Sequence, residues 1–111
     1  MAQNFRNQKT FTAIGTSYVD ILDAVNSFDT VVGLRLVNVT GTSINIHCAI
    51  EDGSANETEL AVNMPIPAGG SLELIDGGAK IILTSGDKIK AKSDTASSLK
   101  AIVSFIDEIS T

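Results

Sequence analysis

Residues Pro65 to Ser93, PIPAGGSLELIDGGAKIILTSGDKIKAKS, decide the fold class. Gly69-Gly70, Gly77-Gly78 and Ser85-Gly86-Asp87 punctuate the stretch, and Leu72/Leu74, Ile81/Leu83 and Ile89/Ala91 stand between them. Each apolar pair is spaced by two, the period of a strand with one buried face. Glycine accepts the backbone conformations that tight turns demand. Strands this short, reversing this often, build a small antiparallel β-domain.

Working outward, strand-like segments fall at Lys9–Ala13, Ser17–Leu22, Thr30–Val39, Ser43–Glu51, Thr58–Met64, Ser71–Ile75, Lys80–Thr84, Lys88–Ser93 and Ser98–Ile109. Alternation puts Ile44, Ile46, Cys48 and Ile50 on one side, against Asn45, His47 and Glu51. It also sets Leu60, Val62 and Met64 against Glu59 and Asn63, and Leu99, Ala101, Val103 and Phe105 against Lys100 and Ser104. The expected core is Ile46, Leu60, Val62, Leu72, Leu83 and Val103. Ile102 and Ile106 make the last segment apolar on both faces, the mark of a covered strand or a subunit contact. Tyr18–Val25 reads as a strand followed by the turn Asn26-Ser27-Phe28-Asp29, with a single helical turn as the alternative. Pro65 and Pro67 lack amide donors and mark a crossover between sheets. Asp52–Glu57 is a hydrophilic hairpin tip. Residues 1–9 form a polar arm with Phe5 as its sizeable anchor, expected to be mobile alone and ordered on a neighbour. Residues 10–111 form one β-sandwich domain.

Composition narrows the function. A chain of 111 residues makes one domain. With no Trp, one Tyr and four Phe, its core is aliphatic. A net charge of −5 argues against a nucleic-acid surface, which needs clustered cations. The polar start shows no signal peptide, and no run is long enough for a membrane span. No nucleic-acid or membrane partner is expected. Cys48, the one cysteine, stands in step with isoleucines as a small buried hydrophobe. The sequons Asn38-Val39-Thr40 and Asn56-Glu57-Thr58 are read as coincidence.

The chemistry-bearing residues do not assemble into a catalytic pattern. His47 and Cys48 are adjacent on a strand and point to opposite faces, so they cannot bind one ion. The single His has no nucleophile elbow beside it, and the acids near Asp52 lack the spacing of a calcium loop. Gly77-Gly78 has no following helix or Lys-Ser/Thr, so a turn explains it. No catalytic, metal or cofactor site is expected. Lys88, Lys90 and Lys92 share one strand face, which reads as a solvated edge that blocks pairing, with contact to an acidic neighbouring subunit as the functional alternative.

Four pieces of sequence carry a family resemblance: Val31-Val32-Gly33-Leu34-Arg35-Leu36-Val37-Asn38, Pro65-Ile66-Pro67-Ala68-Gly69-Gly70-Ser71-Leu72-Glu73-Leu74, Lys80-Ile81-Ile82-Leu83 and Gly86-Asp87-Lys88-Ile89-Lys90-Ala91. In this order and spacing they resemble a family of small virion structural proteins of tailed bacteriophages, especially those of marine and cyanobacterial hosts. The resemblance runs from about residue 9 to the end. It implies a β-sandwich present in many copies in the virion, with other virion proteins as partners (the major capsid protein, or neck and tail proteins) and with self-association. It brings no catalytic motif.

The sequence reading is therefore all-β, a two-sheet antiparallel β-sandwich of about eight strands, with a jelly roll as one form of it. The expected function is non-enzymatic: a capsid decoration (cement) subunit, a neck or tail component as the alternative, and a host-receptor or carbohydrate-binding module as the rival class. Scarce aromatics weaken the sugar-binding reading. Phe5, Ile102, Ile106, Lys88, Lys90 and Lys92 are the candidate subunit-contact residues.

Overall fold

A computed structural model of the chain describes residues 4–25, 28–75 and 81–107. Among them are nine strands and no helix: β1 (Asn4–Lys9), β2 (Val19–Leu22), β3 (Asp29–Asn38), β4 (Ile44–Glu51), β5 (Glu57–Ile66), β6 (Ser71–Ile75), β7 (Ile81–Leu83), β8 (Lys88–Ser93) and β9 (Leu99–Asp107). Sheet one has the order β1-β9-β3-β6, with β7 also beside β3; sheet two has the order β2-β8-β4-β5. All pairings are antiparallel.

The pairing has a simple logic. β4 and β5 are the arms of a hairpin, and outward from it β3 pairs β6, β2 pairs β8 and β1 pairs β9. The chain is thus one long hairpin rolled up until β9 meets β3 and β8 meets β4. That is the jelly roll, and its two inner faces share one core. Ile46, Leu83 and Val103 are fully buried there, together with Ile21, Leu34, Ile66 and Leu99. Leu60 and Leu72 are half-buried against this cluster.

Val62 departs from the expectation. It is 62% exposed, and Ala61 takes its place inside. The register of β5 against β4 shifts twice, between Ile46 and Cys48 and between Cys48 and Ala49. Each shift adds a residue to β5 and turns the following side chains over. Asn63 takes the left-handed conformation (φ 53°), which asparagine tolerates better than other side chains that carry a Cβ.

The segment read as an arm departs as well. Its described part is β1, paired with β9 from Asn4↔Asp107 to Lys9↔Ile102. Strand pairing satisfies backbone groups and asks no side chain to be buried, so a polar segment can hold an edge. The strand expected at Lys9–Ala13 is replaced by the end of β1 and a link to Ile14, which bridges Leu99. The helical alternative for Tyr18–Val25 gives way to β2. Gly77-Gly78 and Asn26-Ser27 lie outside the described residues.

Asn38 ties the ends of the roll together. Its side-chain amide donates to the carbonyls of Thr42 (2.7 Å), Ile66 (3.1 Å) and Pro67 (3.1 Å). Its carbonyl oxygen accepts from the amide and hydroxyl of Thr40 at 2.9 and 2.7 Å. Buried at 1% exposure, it pins the β3–β4 turn to the β5–β6 crossover, and its nitrogen is not presented as a sequon asparagine would be. In that crossover, Gly70 donates to the Pro67 carbonyl at 2.9 Å across a turn whose third residue, Gly69, has φ 66°.

Candidate functional site: the two outer faces

Six residues were expected to make subunit contacts, and the roll divides them between opposite sides of the molecule. Phe5, Ile102 and Ile106 share the outer face of sheet one; Lys88, Lys90 and Lys92 share the outer face of sheet two. The assignment follows from alternation, because Val103 and Phe105 are buried in the core and their neighbours on β9 must face out.

On sheet one, residues directly opposite one another form rows. Phe5 is opposite Ile106, Ile106 is opposite Thr30, and Thr30 is opposite Ile82, a row that crosses four strands. Phe5 is 83% exposed and Ile82 62%. A second row runs Lys9, Ile102, Arg35 and Glu73. Arg35 Nε donates to Glu73 Oε1 at 2.9 Å. Lys100 lies opposite Val37 further along. Among the described residues this face therefore holds a row of Phe5, Ile106 and Ile82 with the buried Thr30 between them, and a flank of three cations, Lys9, Arg35 and Lys100, with Glu73 as its one acid. Ile82, Thr30 and Arg35 were not singled out from sequence; Ile82 could have been, since it alternates with the inward Ile81 and Leu83.

Sheet two has a different outer face. β8 is not an edge strand as expected but lies between β2 and β4. Each of its lysines therefore meets neighbours of the same chain. Lys90 is 7% exposed and donates to Glu51 Oε1 at 2.7 Å and to Glu57. Its ammonium lies 4.5 Å from the centre of the Tyr18 ring, and that of Lys92 lies 4.6 Å from it. Lys88 reaches Asp20 at 3.4 Å and Glu51 at 3.8 Å. Ala49, beside Lys90 on β4, is small enough to leave room for the long side chain. Within the chain, Lys88 and Lys90 thus find their acidic partners in Asp20, Glu51 and Glu57.

The charges respond to this geometry. Hydrogen bonds donated to Glu51, then to Glu57, raise the Lys90 pKa, and the Lys90 hydrogen bond lowers that of Glu51. Burial, then the Glu57 charge, raises Tyr18. Asp52 is lowered by backbone donors at Asn56 and Ser54, which close the hairpin tip around it. Burial pushes the Cys48 thiol up to about 12, so it stays protonated and unreactive. His47 is half-buried on the outer face while Cys48 is inside. Among the described residues no group of three or more His, Cys, Asp or Glu side chains could hold a metal ion.

No family model matches the sequence, and no curated protein does. Among solved structures, VP2 of infectious bursal disease virus, in its subviral particle, is similar at a TM-score of 0.54 and 7% identity, over 96% of this chain and 33% of that one. The chain spans about a third of the VP2 chain it matches. The virus-like particle of extra small virus, from the giant freshwater prawn Macrobrachium rosenbergii, gives a TM-score of 0.41 at 6% identity, over 99% of this chain and 82% of that one. At such identity the VP2 likeness is one of fold: the jelly-roll β-sandwich.

Proposed function

We propose that the chain is a non-enzymatic virion structural protein, a decoration subunit of a tailed-phage capsid that docks on the assembled shell through the outer face of sheet one. The observation that carries the reading is the row Phe5–Ile106–Thr30–Ile82 with its flank of Lys9, Arg35 and Lys100. Apolar side chains on three strands, Phe5, Ile106 and Ile82, lined up on either side of the buried Thr30 and with Phe5 and Ile82 left open to water, are suited to burial against another protein. Lys9 and Lys100 stand out on a chain of net charge −5 and would steer the face to an acidic surface, while Arg35 is paired with Glu73 of the same chain. The fold supports the reading, since VP2 of a subviral particle is built on it, and so does the phage-family resemblance of the sequence. Sheet two is a weaker contact surface, because Lys88 and Lys90 are already paired with carboxylates of the same chain and Lys92 lies over the Tyr18 ring.

Co-sedimentation with empty shells of the parent virus tests it. Ile106→Asp should fold and remain soluble yet fail to pellet with shells, whereas Val62→Asp, on the far side, should pellet like the wild type. Equal pelleting of Ile106→Asp overturns the docking face. Pelleting with tails and not with shells moves the protein to the neck or tail.

A further inference from the structure

An open sheet ends in strands whose outward N–H and C=O groups have no partner in the chain, and each such edge invites pairing unless something interrupts it. Sheet one ends at β1 and at β6/β7, and sheet two at β2 and β5. β5 has two register shifts, a left-handed Asn63 and Pro65. β2 has four residues and a shift between Asp20 and Leu22. The edge opposite β1 is divided between β6, of five residues, and β7, of three. β1 keeps six consecutive pairs in one register, with neither bulge nor proline.

The outward groups of β1 can be named. Thr10 donates its amide to the Ala101 carbonyl at 2.9 Å, continuing the β1–β9 register. Hydrogen-bonded and non-bonded pairs alternate along an antiparallel ladder. Asn4, Arg6 and Gln8 therefore bond β9, and the backbone groups of Phe5, Asn7 and Lys9 point to the free edge. The side chains of the same three residues lie on the outer face.

We propose that this edge pairs antiparallel with β1 of a second copy of the chain, across a two-fold axis perpendicular to the sheet, with Asn7 opposite Asn7. Such an axis keeps both outer faces on one side, so outer-face residues must meet each other. Centred on Asn7, the register sets Phe5 opposite Lys9 of the second copy and uses every outward amide of β1. Centred on Arg6, it would oppose two guanidinium groups. In the Asn7 register no like charges are opposed, and Arg6 is held by Asp107 at 2.8 Å. The Lys9 stem covers the Phe5 ring, which is 83% exposed in the single chain, with its ammonium near the ring face. The result is one continuous sheet with two docking faces side by side. In that respect the pairing deepens the proposed docking, but it is measured without shells, so either can fail alone.

Sedimentation equilibrium of the purified chain should give twice the 11.6 kDa mass, and dissociate on dilution. Asn7→Pro removes an outward donor from each copy and none that β9 uses, a change edge strands accept. It should weaken the dimer by roughly 30-fold or more through two lost hydrogen bonds while leaving the monomer's melting temperature in place. Asn7→Cys should form a symmetric disulfide dimer under mild oxidation, since Cα atoms of a hydrogen-bonded pair stand about 5.5 Å apart, within disulfide range. The wild type, whose Cys48 is buried, should not. A chain monomeric at about millimolar concentration, a dimer indifferent to Asn7→Pro, or an Asn7→Cys variant that does not cross-link overturns the pairing.

Discussion

Asn38 shows how much one residue can hold in a fold this small. Three carbonyls accept from its amide and two donors of Thr40 reach its oxygen, so its hydrogen-bonding capacity is used within the core. Asn38→Asp keeps the shape and reverses the chemistry. An acceptor-only carboxylate would face the carbonyls of Thr42, Ile66 and Pro67 in a site with 1% exposure. The expected cost is about 3–5 kcal/mol, the range for an uncompensated buried charge, read as a fall in the urea midpoint with unchanged slope. A variant within about 0.5 kcal/mol of wild type would mean that the turn and crossover are held by other contacts. Lys90 is also buried, but at the outer surface and among carboxylates of its own chain.

At the scale of the element, alternation was legible wherever the register was regular. β4 and β9 place Ile44, Ile46, Cys48, Leu99, Ala101 and Val103 inside, as their spacing implies. β5 breaks the same rule, because a bulge is decided by how two strands meet and leaves no mark in the spacing of either. The neighbours of β8 were equally hidden: three alternating lysines look alike on an edge and beneath a carboxylate cluster. Ile102 and Ile106 were visible as outward residues, while Ile82 and Arg35 join them only through pairings distant in sequence. The bulges lead to a prediction for β5. Val62→Ala should change stability by less than about 0.5 kcal/mol, as for an exposed site, whereas Ile46→Ala, in the core on the neighbouring strand β4, should cost about 2–5 kcal/mol. Asn63→Val should cost about 1–2 kcal/mol through its left-handed backbone, and Asn63→Gly should not. Thermal melts of the four variants check the assignment; a Val62→Ala loss as large as that of Ile46→Ala would return Val62 to the core.

The whole molecule unfolds around one core, so its stability should follow pH through the groups that the fold perturbs. Glu51 and Asp52 are lowered, by the Lys90 hydrogen bond and by backbone donors respectively. Their contribution is present above the unfolded carboxylate values, about 4.3 and 3.9, and is lost as pH falls through the folded ones. Lys90, Tyr18 and Cys48 are raised. Their contribution is complete below the unfolded values and is lost as pH rises toward the folded ones. Cys48 has the lowest unfolded value of these, about 8.5, so it sets the alkaline limit. Between about pH 8.5 and 10 the unfolded thiol ionises while the folded one, pushed up to about 12 by burial, does not. The linkage removes about 2 kcal/mol by about pH 10. The melting temperature should therefore hold level from about pH 5 to 8 and decline on both sides. Cys48→Ala should start from lower stability, because it leaves a small cavity, yet lose less between about pH 8.5 and 10 than the wild type. If the two decline in parallel, the alkaline limit belongs to the lysine cluster of sheet two and not to the buried thiol.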